Sequence, residues 1–117
     1  MSKKSLELFG KKLMNNIRDE AIDDWERILE GKMKDEESQK LHNMLSDKER
    51  ELVKSLIPKI VNTTLHHLLW TIEQEELIEV IVKDGVQKVN INKISDGLAG
   101  ELYTEDGWIS RFSKKSN

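Results

Sequence analysis

The sequence predicts an α+β domain: three N-terminal helices, the third long and central, then a β-hairpin or small antiparallel sheet and a short C-terminal helical turn. Apolar residues recur at intervals of three and four through residues 5–29 and 46–74, which is the period of an α-helix. After residue 76 the pattern changes to two short β-branched runs around an Asp-Gly pair. With 117 residues, the chain has the length of a single domain, residues 1–117.

The first helix is predicted over residues 5–29, because its apolar side chains form one stripe at helical spacing. They are Leu6, Phe9, Leu13, Ile17, Ala21, Trp25 and Ile28. Gly31 then ends the helix, as glycine commonly does. A short second helix begins after Asp35, a residue type that caps helices. Its apolar side chains are Leu41, Met44 and Leu45.

The third helix begins at a capping box. Ser46 and Glu49 have the spacing at which each side chain accepts a hydrogen bond from the other residue's backbone amide. Helical spacing then continues to Gln74. Pro58 lies inside this segment, and proline removes one helical hydrogen bond and clashes with the preceding turn. We therefore expect a kink or a break near Ser55, or a separate helix that Pro58 opens after a short interruption.

This long helix is unusually apolar. At the angular spacing of an α-helix, its large apolar side chains cover roughly 260° of the circumference. They are Leu52, Val53, Leu56, Ile57, Ile60, Val61, Leu65, Leu68, Leu69, Trp70 and Ile72. Two outcomes remain open. Either the other elements cover the whole arc, or the uncovered part binds a partner protein or a second copy in a homodimer.

The β-branched runs predict a hairpin. Asp84 and Gly85 suit a two-residue turn, because glycine tolerates the positive φ angles that tight hairpin turns require. Such a turn would pair residues 77–82 with residues 86–91. The opposite residues would then be Ile78 and Ile91, Val80 and Val89, and Val82 and Gln87.

The C-terminal part of the chain is rich in glycine, aspartate and serine. A third strand is predicted at residues 101–103, followed by a turn at Asp106 and Gly107. Residues 108–112 have the spacing of one amphipathic helical turn that packs back onto the domain. We expect residues 114–117 to form a flexible tail.

The composition excludes several function classes. The chain has no cysteine, which rules out thiol nucleophiles, disulfides and thiolate metal sites. Its formal net charge is −3, with 19 basic and 22 acidic residues, so no strong basic field exists to hold a nucleic acid. No apolar run has the length of a membrane span, and the N-terminal residues do not read as a signal peptide. We expect a cytoplasmic location.

Acidic side chains are concentrated in residues 19–37, where nine acidic residues against three basic ones give a net charge of −6. A negative patch attracts basic partners. In composition the chain resembles the small acidic immunity proteins that neutralise toxins. We therefore expect a protein-binding or regulatory module with an acidic surface and a basic protein partner, with no cofactor and no enzymatic activity.

Four residues are candidates for a binding site: Glu20, Asp24, His67 and Trp70. Asp24 falls within the apolar stripe of the first helix, and His67 falls within the apolar arc of the long helix. Each lies about 20 residues into its helix, so the two would meet if these helices run parallel. The pair could be a structural hydrogen bond, a recognition site for a ligand or partner, or, with Glu20, a metal site.

The alternative function is a small hydrolase that depends on Mg²⁺ or Mn²⁺. Five helix carboxylates are its candidate ligands: Asp19, Glu20, Asp23, Glu73 and Glu76. Carboxylate oxygens are the ligands that these cations prefer. The spacing of the acids, Glu20-x-x-Asp23 and Glu73-x-x-Glu76, resembles that of the helical nucleotide pyrophosphohydrolases. A solvated helix surface is the competing interpretation of the same charges.

Overall fold

The computed structural model describes residues 2–115 and confirms the α+β fold class. Helices α1 (Ser2–Lys12) and α2 (Asp19–Leu29) are joined by a π-helix, Leu13–Arg18, into one continuous rod. Helices α3 (Glu36–Met44) and α4 (Asp47–Gln74) follow. The first predicted helix, the short second helix and the long third helix are therefore all present.

A two-stranded antiparallel sheet and a short helix complete the fold. Strands β1 (Ile81–Asp84) and β2 (Gln87–Asn90) form the sheet. Two 3₁₀-helices follow, Ile91–Lys93 and Ala99–Leu102. Helix α5 (Trp108–Phe112) is the predicted C-terminal helical turn.

The helix ends follow the local signals in the sequence. Gly31 has a φ angle of +78°, which glycine adopts without strain. The Asp35 side chain accepts a hydrogen bond from the Ser38 amide at 3.0 Å and so begins α3. At the start of α4, the Ser46 hydroxyl accepts from the Glu49 amide at 3.2 Å, and Glu49 accepts from the Ser46 amide at 2.8 Å. The predicted capping box is confirmed.

Helix α4 is unbroken at Pro58, so the predicted break and the predicted separate helix are wrong. Pro58 and its neighbour Ile57 are both buried. Ile57 packs with Ile22 and Leu29 of α2. These contacts offset the hydrogen bond that the proline removes, because burying a large aliphatic side chain contributes about as much as that bond.

The π-helix rotates the buried side of the rod. A π-helix holds more residues per turn than an α-helix, so each later residue lies about 100° from the position that a regular helix would give it. Arg18, Ile22 and Leu29 are buried, whereas Ile17 and Trp25 of the predicted stripe are 51% and 44% exposed. The predicted stripe is therefore wrong beyond the π-helix.

Two groups of buried apolar residues form the core of the described chain. The large core cluster lies around the C-terminal half of α4. Its members are Leu6, Leu13, Met14, Leu65, Leu69, Ile72, Ile91, Leu98, Ala99, Leu102 and Trp108. The small core cluster, Ile22, Leu29 and Ile57, lies around the N-terminal half. Val61 packs against both clusters and so connects them along α4.

The hairpin is present, but its register differs from the prediction. Val82, not Val80, lies opposite Val89, and the two turn residues are Gly85 and Val86. Gly85 has a φ angle of +64°, and glycine at the first turn position with positive φ is the pattern of a type II′ turn. Asp84 therefore ends β1 instead of entering the turn. The pairing shifts by two residues in total, so the alternation of faces is kept.

Residues 101–103 do not form the predicted third strand. Ala99 and Leu102 are both buried, and their spacing of three residues matches the 3₁₀-helix that contains them. A strand would place residues three apart on opposite faces. The helix lets both side chains reach the large core cluster.

Trp108 anchors α5 on the N-terminal rod. Its side chain is 1% exposed and meets the Phe9 ring edge-on, with the ring centroids 5.9 Å apart. Its indole lies against Gly10, where an added Cβ would come within 2.3 Å of the ring. The rod and the C-terminal helix can approach this closely because Gly10 has no side chain.

Candidate functional site

One side of α4 is uncovered along most of its length. We call this surface the front face of α4. All of its members are exposed: Leu52, Leu56, Ile60, Thr63, Thr64, His67, Leu68, Trp70 and Thr71. Leu52 and Ile60 are each 61% exposed, and Trp70 is 49% exposed. From Leu52 to Trp70 the face extends about 27 Å along the helix axis.

The opposite side of α4 is packed. Ile57, Leu65, Leu69 and Ile72 are buried, and Val53 and Val61 are half-buried against them. Helix α2 and the 3₁₀-helix at Ala99–Leu102 make most of the contacts with α4. The chain thus covers part of the predicted apolar arc, and complete coverage within one molecule does not occur.

None of the nine residues of the front face is charged, although the exposed Lys59 borders it, and its threonines are satisfied within the helix. The Thr63 hydroxyl donates to the Lys59 carbonyl at 2.8 Å, and the Thr64 hydroxyl donates to the Ile60 carbonyl at 2.9 Å. Burying these threonines would therefore leave no unpaired hydroxyl. The side chains in the middle of the face are small and uncharged, and large apolar side chains lie on both sides of them.

A shallow groove lies at the C-terminal end of the front face. It has a volume of about 400 Å³ and lies between α4 and the segment from Gly97 to Tyr103. The Nδ1 atom of His66 is 3.0 Å from the Tyr103 hydroxyl, and the two rings are 5.8 Å apart. Burial raises the pKa of Tyr103, so the phenol stays protonated at neutral pH. His67 and Trp70 also line this groove.

The predicted binding residues separate into two places. His67 and Trp70 lie together in the groove, but Glu20 and Asp24 lie exposed on α2. Asp24 and His67 form no hydrogen bond or ion pair, and the predicted contact between them is wrong. Because the π-helix rotates α2, its packed side carries Ile22 and Leu29, and Asp24 lies exposed.

The five carboxylates of the hydrolase alternative do not assemble. Within residues 2–115, no three His, Asp or Glu side chains lie close enough together to hold a metal ion. Asp19 accepts a hydrogen bond from the Lys114 amide, and Asp23 accepts one from the Lys115 ammonium. Glu73 accepts from the Ala99 amide at 3.2 Å. These contacts connect the acids to the fold.

The sequence pattern does not predict the buried charged cluster around Arg18. Arg18 is fully buried, and its guanidinium donates to Asn62 at 2.7 Å and to Asp19 at 3.3 Å. It also donates to the Ser113 hydroxyl and to the Lys115 carbonyl. Burial lowers the pKa of Arg18, while the neighbouring Asp19 acts in the opposite direction. The signal in the sequence is indirect. Arg18 falls on the buried side only if the predicted apolar stripe of the first helix is moved by one residue, from Ile17 to Arg18.

The predicted flexible tail is bound in its described part. The Lys114 amide donates to Asp19 at 2.7 Å. The Lys115 ammonium contacts Glu26 at 2.7 Å and Asp23 at 3.3 Å, and the hydrogen bond to Glu26 raises the pKa of Lys115. The last two residues lie outside the described part. These contacts also neutralise part of the acidic segment, which leaves fewer free charges than the net −6 indicates.

Comparison with known proteins adds no relative. No protein-family model, curated protein or solved structure matches the chain. Across residues 2–115, none of the helices combines the length and the hydropathy needed to cross a membrane. The front face and the groove beside it are therefore the features of the chain that bear on its function.

Proposed function

We propose that the chain is a protein-binding module, and that the front face of α4 is its contact surface. One observation carries the proposal: large apolar side chains stand exposed in a row on a single long helix. Scattered exposed apolar residues are normal on a soluble protein, but a contiguous patch marks an interaction site. A helix that presents such a row can bind a partner along its whole length.

Aromatic and aliphatic side chains at the same face favour protein contacts over catalysis. Trp70 offers a large ring that is half-exposed, and tryptophan is among the residues that contribute most at protein interfaces. His67 provides ring nitrogens that can bond to a partner at the same end. The described part of the face holds no acid or base in a buried pocket, which is the usual setting of a general acid or base.

The acidic surface contributes less to this function than the sequence predicts. Asp19, Asp23 and Glu26 are engaged by Arg18 and the C-terminal lysines. Glu20 and Asp24 stay exposed on α2 and can still attract a basic partner at long range. We therefore assign affinity to the apolar front face, and we assign only steering of the encounter to the exposed acids.

The test is a comparison of protein partners bound by three forms of the full chain in an extract of its host. The forms are the wild type, the face variant Leu56→Glu/Ile60→Glu and the control variant Leu77→Glu/Val86→Glu. The control residues are apolar and 91% and 102% exposed, but they lie outside α4. The proposal predicts that the control retains the wild-type partners and that the face variant loses them.

Circular dichroism of all three forms checks that the helices are intact. Identical partner sets for the wild type and a folded face variant would contradict the proposal. Equal loss in both variants would contradict it as well, because the binding would then depend on general surface polarity and not on the front face.

A further inference from the structure

We infer that the occupant of the front face is a second copy of this chain, with α4 of one copy crossing α4 of the other at Thr63 and Thr64. The inference rests on the proposed function and names the partner for the same surface. Three properties of the described residues support it: the exposed area, the shape of the face and its lack of charge.

The accessible surface of the chain is larger than that expected for a folded monomer of this mass. The chain exposes 8081 Å², whereas a folded monomer of 13.6 kDa exposes about 6,600 Å². The excess of about 1,500 Å² exceeds the roughly 800 Å² that each partner buries in a standard interface. The radius of gyration, 16.9 Å, also exceeds the about 13.4 Å expected for this length. This surplus belongs to the chain as a whole, of which the front face is one part, and it is larger than the area that one copy contributes to a standard dimer.

The front face has its two small residues between two groups of large apolar side chains. Leu52, Leu56 and Ile60 stand on the N-terminal side of the two threonines, and Leu68 and Trp70 stand on the C-terminal side. In a dimer with a twofold axis, the closest point of two crossing helices is the same residue in both copies. Small residues at that point let the backbones approach, and the larger side chains fill the widening space on either side.

The absence of charge on the face favours a self-contact over a contact with a charged partner. A symmetric interface brings a residue close to its own copy or to its near neighbours. A charged face would therefore repel itself, and like charges in a desolvated contact are costly. The nine residues of the front face avoid this, although the exposed Lys59 lies at their edge, and the hydroxyls of Thr63 and Thr64 are already satisfied by the helix.

The first test is sedimentation velocity and light scattering of the purified full chain over a range of concentrations. We expect a dimer whose population rises with concentration. Ile60→Asp should weaken association at least about tenfold, because it places a charge beside its own copy in an apolar contact. The matched control is Leu77→Asp, which changes a more exposed apolar residue outside α4 and should leave the dimer intact.

The second test uses disulfide trapping, which the cysteine-free sequence makes clean. Thr63→Cys should form a disulfide-linked dimer under mild oxidation, because the crossing point brings this residue against its own copy. Glu51→Cys is the control. Glu51 is exposed on the same helix, about 100° around the axis from Leu52, and should not be trapped.

A wild-type protein that stays monomeric at all concentrations would overturn the inference. A dimer that Ile60→Asp and Leu77→Asp affect equally, or that traps Glu51→Cys as readily as Thr63→Cys, would overturn it too. These results are separate from the partner comparison in host extract. A monomer whose face variant still loses its partners would place a different protein on the front face and leave the proposed function standing.

Discussion

The two ends of α4 are held in different ways. Around its C-terminal half, eight buried residues from the rod, the segment 91–102 and α5 pack against Leu65, Leu69 and Ile72 of α4 to form the large core cluster. Around its N-terminal half, the small core cluster has three buried residues, and α2 and α3 are the helices that pack there. Apolar burial scales with contact area, so the C-terminal end carries most of the stability. The N-terminal end depends on fewer contacts and on its capping box.

The charged cluster lies where the two ends meet. Val61 packs against both core clusters, and the next residue, Asn62, accepts a hydrogen bond from the buried Arg18. The middle of α4 is thus held to the rod by the packing of Val61 and by the hydrogen bond between Arg18 and Asn62, and the ion pair between Arg18 and Asp19 lies beside this contact within the rod. Buried groups of this kind are tolerated when their partners are present, and they become costly when one partner is removed.

The largest expected effect is at the C-terminal end. Trp108→Ala should lower the free energy of unfolding by about 4 kcal/mol, because it removes a ring that is 1% exposed and leaves a cavity beside Phe9 and Gly10. Ile57→Ala in the small core cluster should cost about 2 kcal/mol, since fewer neighbours lose contact. Urea unfolding followed by circular dichroism measures both. If Ile57→Ala proves the more damaging change, the proposed difference between the ends is wrong.

The second effect is expected at the charged cluster around Arg18, where the two ends of α4 meet. Asp19→Ala should lower the free energy of unfolding by about 3 kcal/mol, because it leaves the buried Arg18 without its carboxylate and frees the C-terminal segment. The matched control is Asp24→Ala on the same helix. Asp24 is exposed, so we expect a change within about 0.5 kcal/mol. Equal changes in the free energy of unfolding for the two variants would show that the charged cluster does not stabilise the fold more than an exposed acid does.

The sequence predicts the elements whose signals are local. The capping box at Ser46 and the cap at Asp35 each involve hydrogen bonds within one turn, so residue types and spacing are sufficient to find them. The width of the apolar arc on α4 could also be predicted, but the sequence left open whether the rest of the chain covers it. The hairpin was found, but its register depends on how its ends are held: the Asn92 side chain contacts both Val80 and Ile72.

The candidate site was harder to predict because it depends on helix phase. The sequence has no local signal for the π-helix at Leu13–Arg18, and a regular helix places Asp24 on the buried side. The predicted pair with His67 fails for this reason, and the buried position of Arg18 was missed for the same reason. His67 and Trp70 lie in one groove because α4 is regular, so their position on neighbouring parts of the same helix face follows directly from helical spacing.

A smaller effect is expected at the hairpin, which lies outside both ends of α4. Gly85→Val should lower the free energy of unfolding by about 1 kcal/mol, because valine resists the positive φ angle of +64° at this turn position. A Cβ at Gly85 would meet no atom within 4 Å, so the cost comes from the backbone and not from a clash. Gly100→Val, at a position with equal space and no positive φ, is the control. An unchanged melting temperature for Gly85→Val would contradict the turn geometry.

The smallest effect concerns the capping box at the N-terminal end of α4. The hydrogen bond from the Ser46 amide is the main reason that the pKa of Glu49 lies below its ordinary value of 4.5. A carboxylate whose pKa is lower in the folded state stabilises the fold fully above the unfolded pKa, and this contribution is lost as pH falls through the folded pKa. Glu49→Gln removes that dependence. The variant should therefore be less stable than the wild type at pH 7, and the difference should shrink as the pH falls below 4.5. Thermal unfolding of both proteins at several pH values measures this difference. A difference that stays constant from neutral to acidic pH would mean that Glu49 does not cap the helix as a carboxylate.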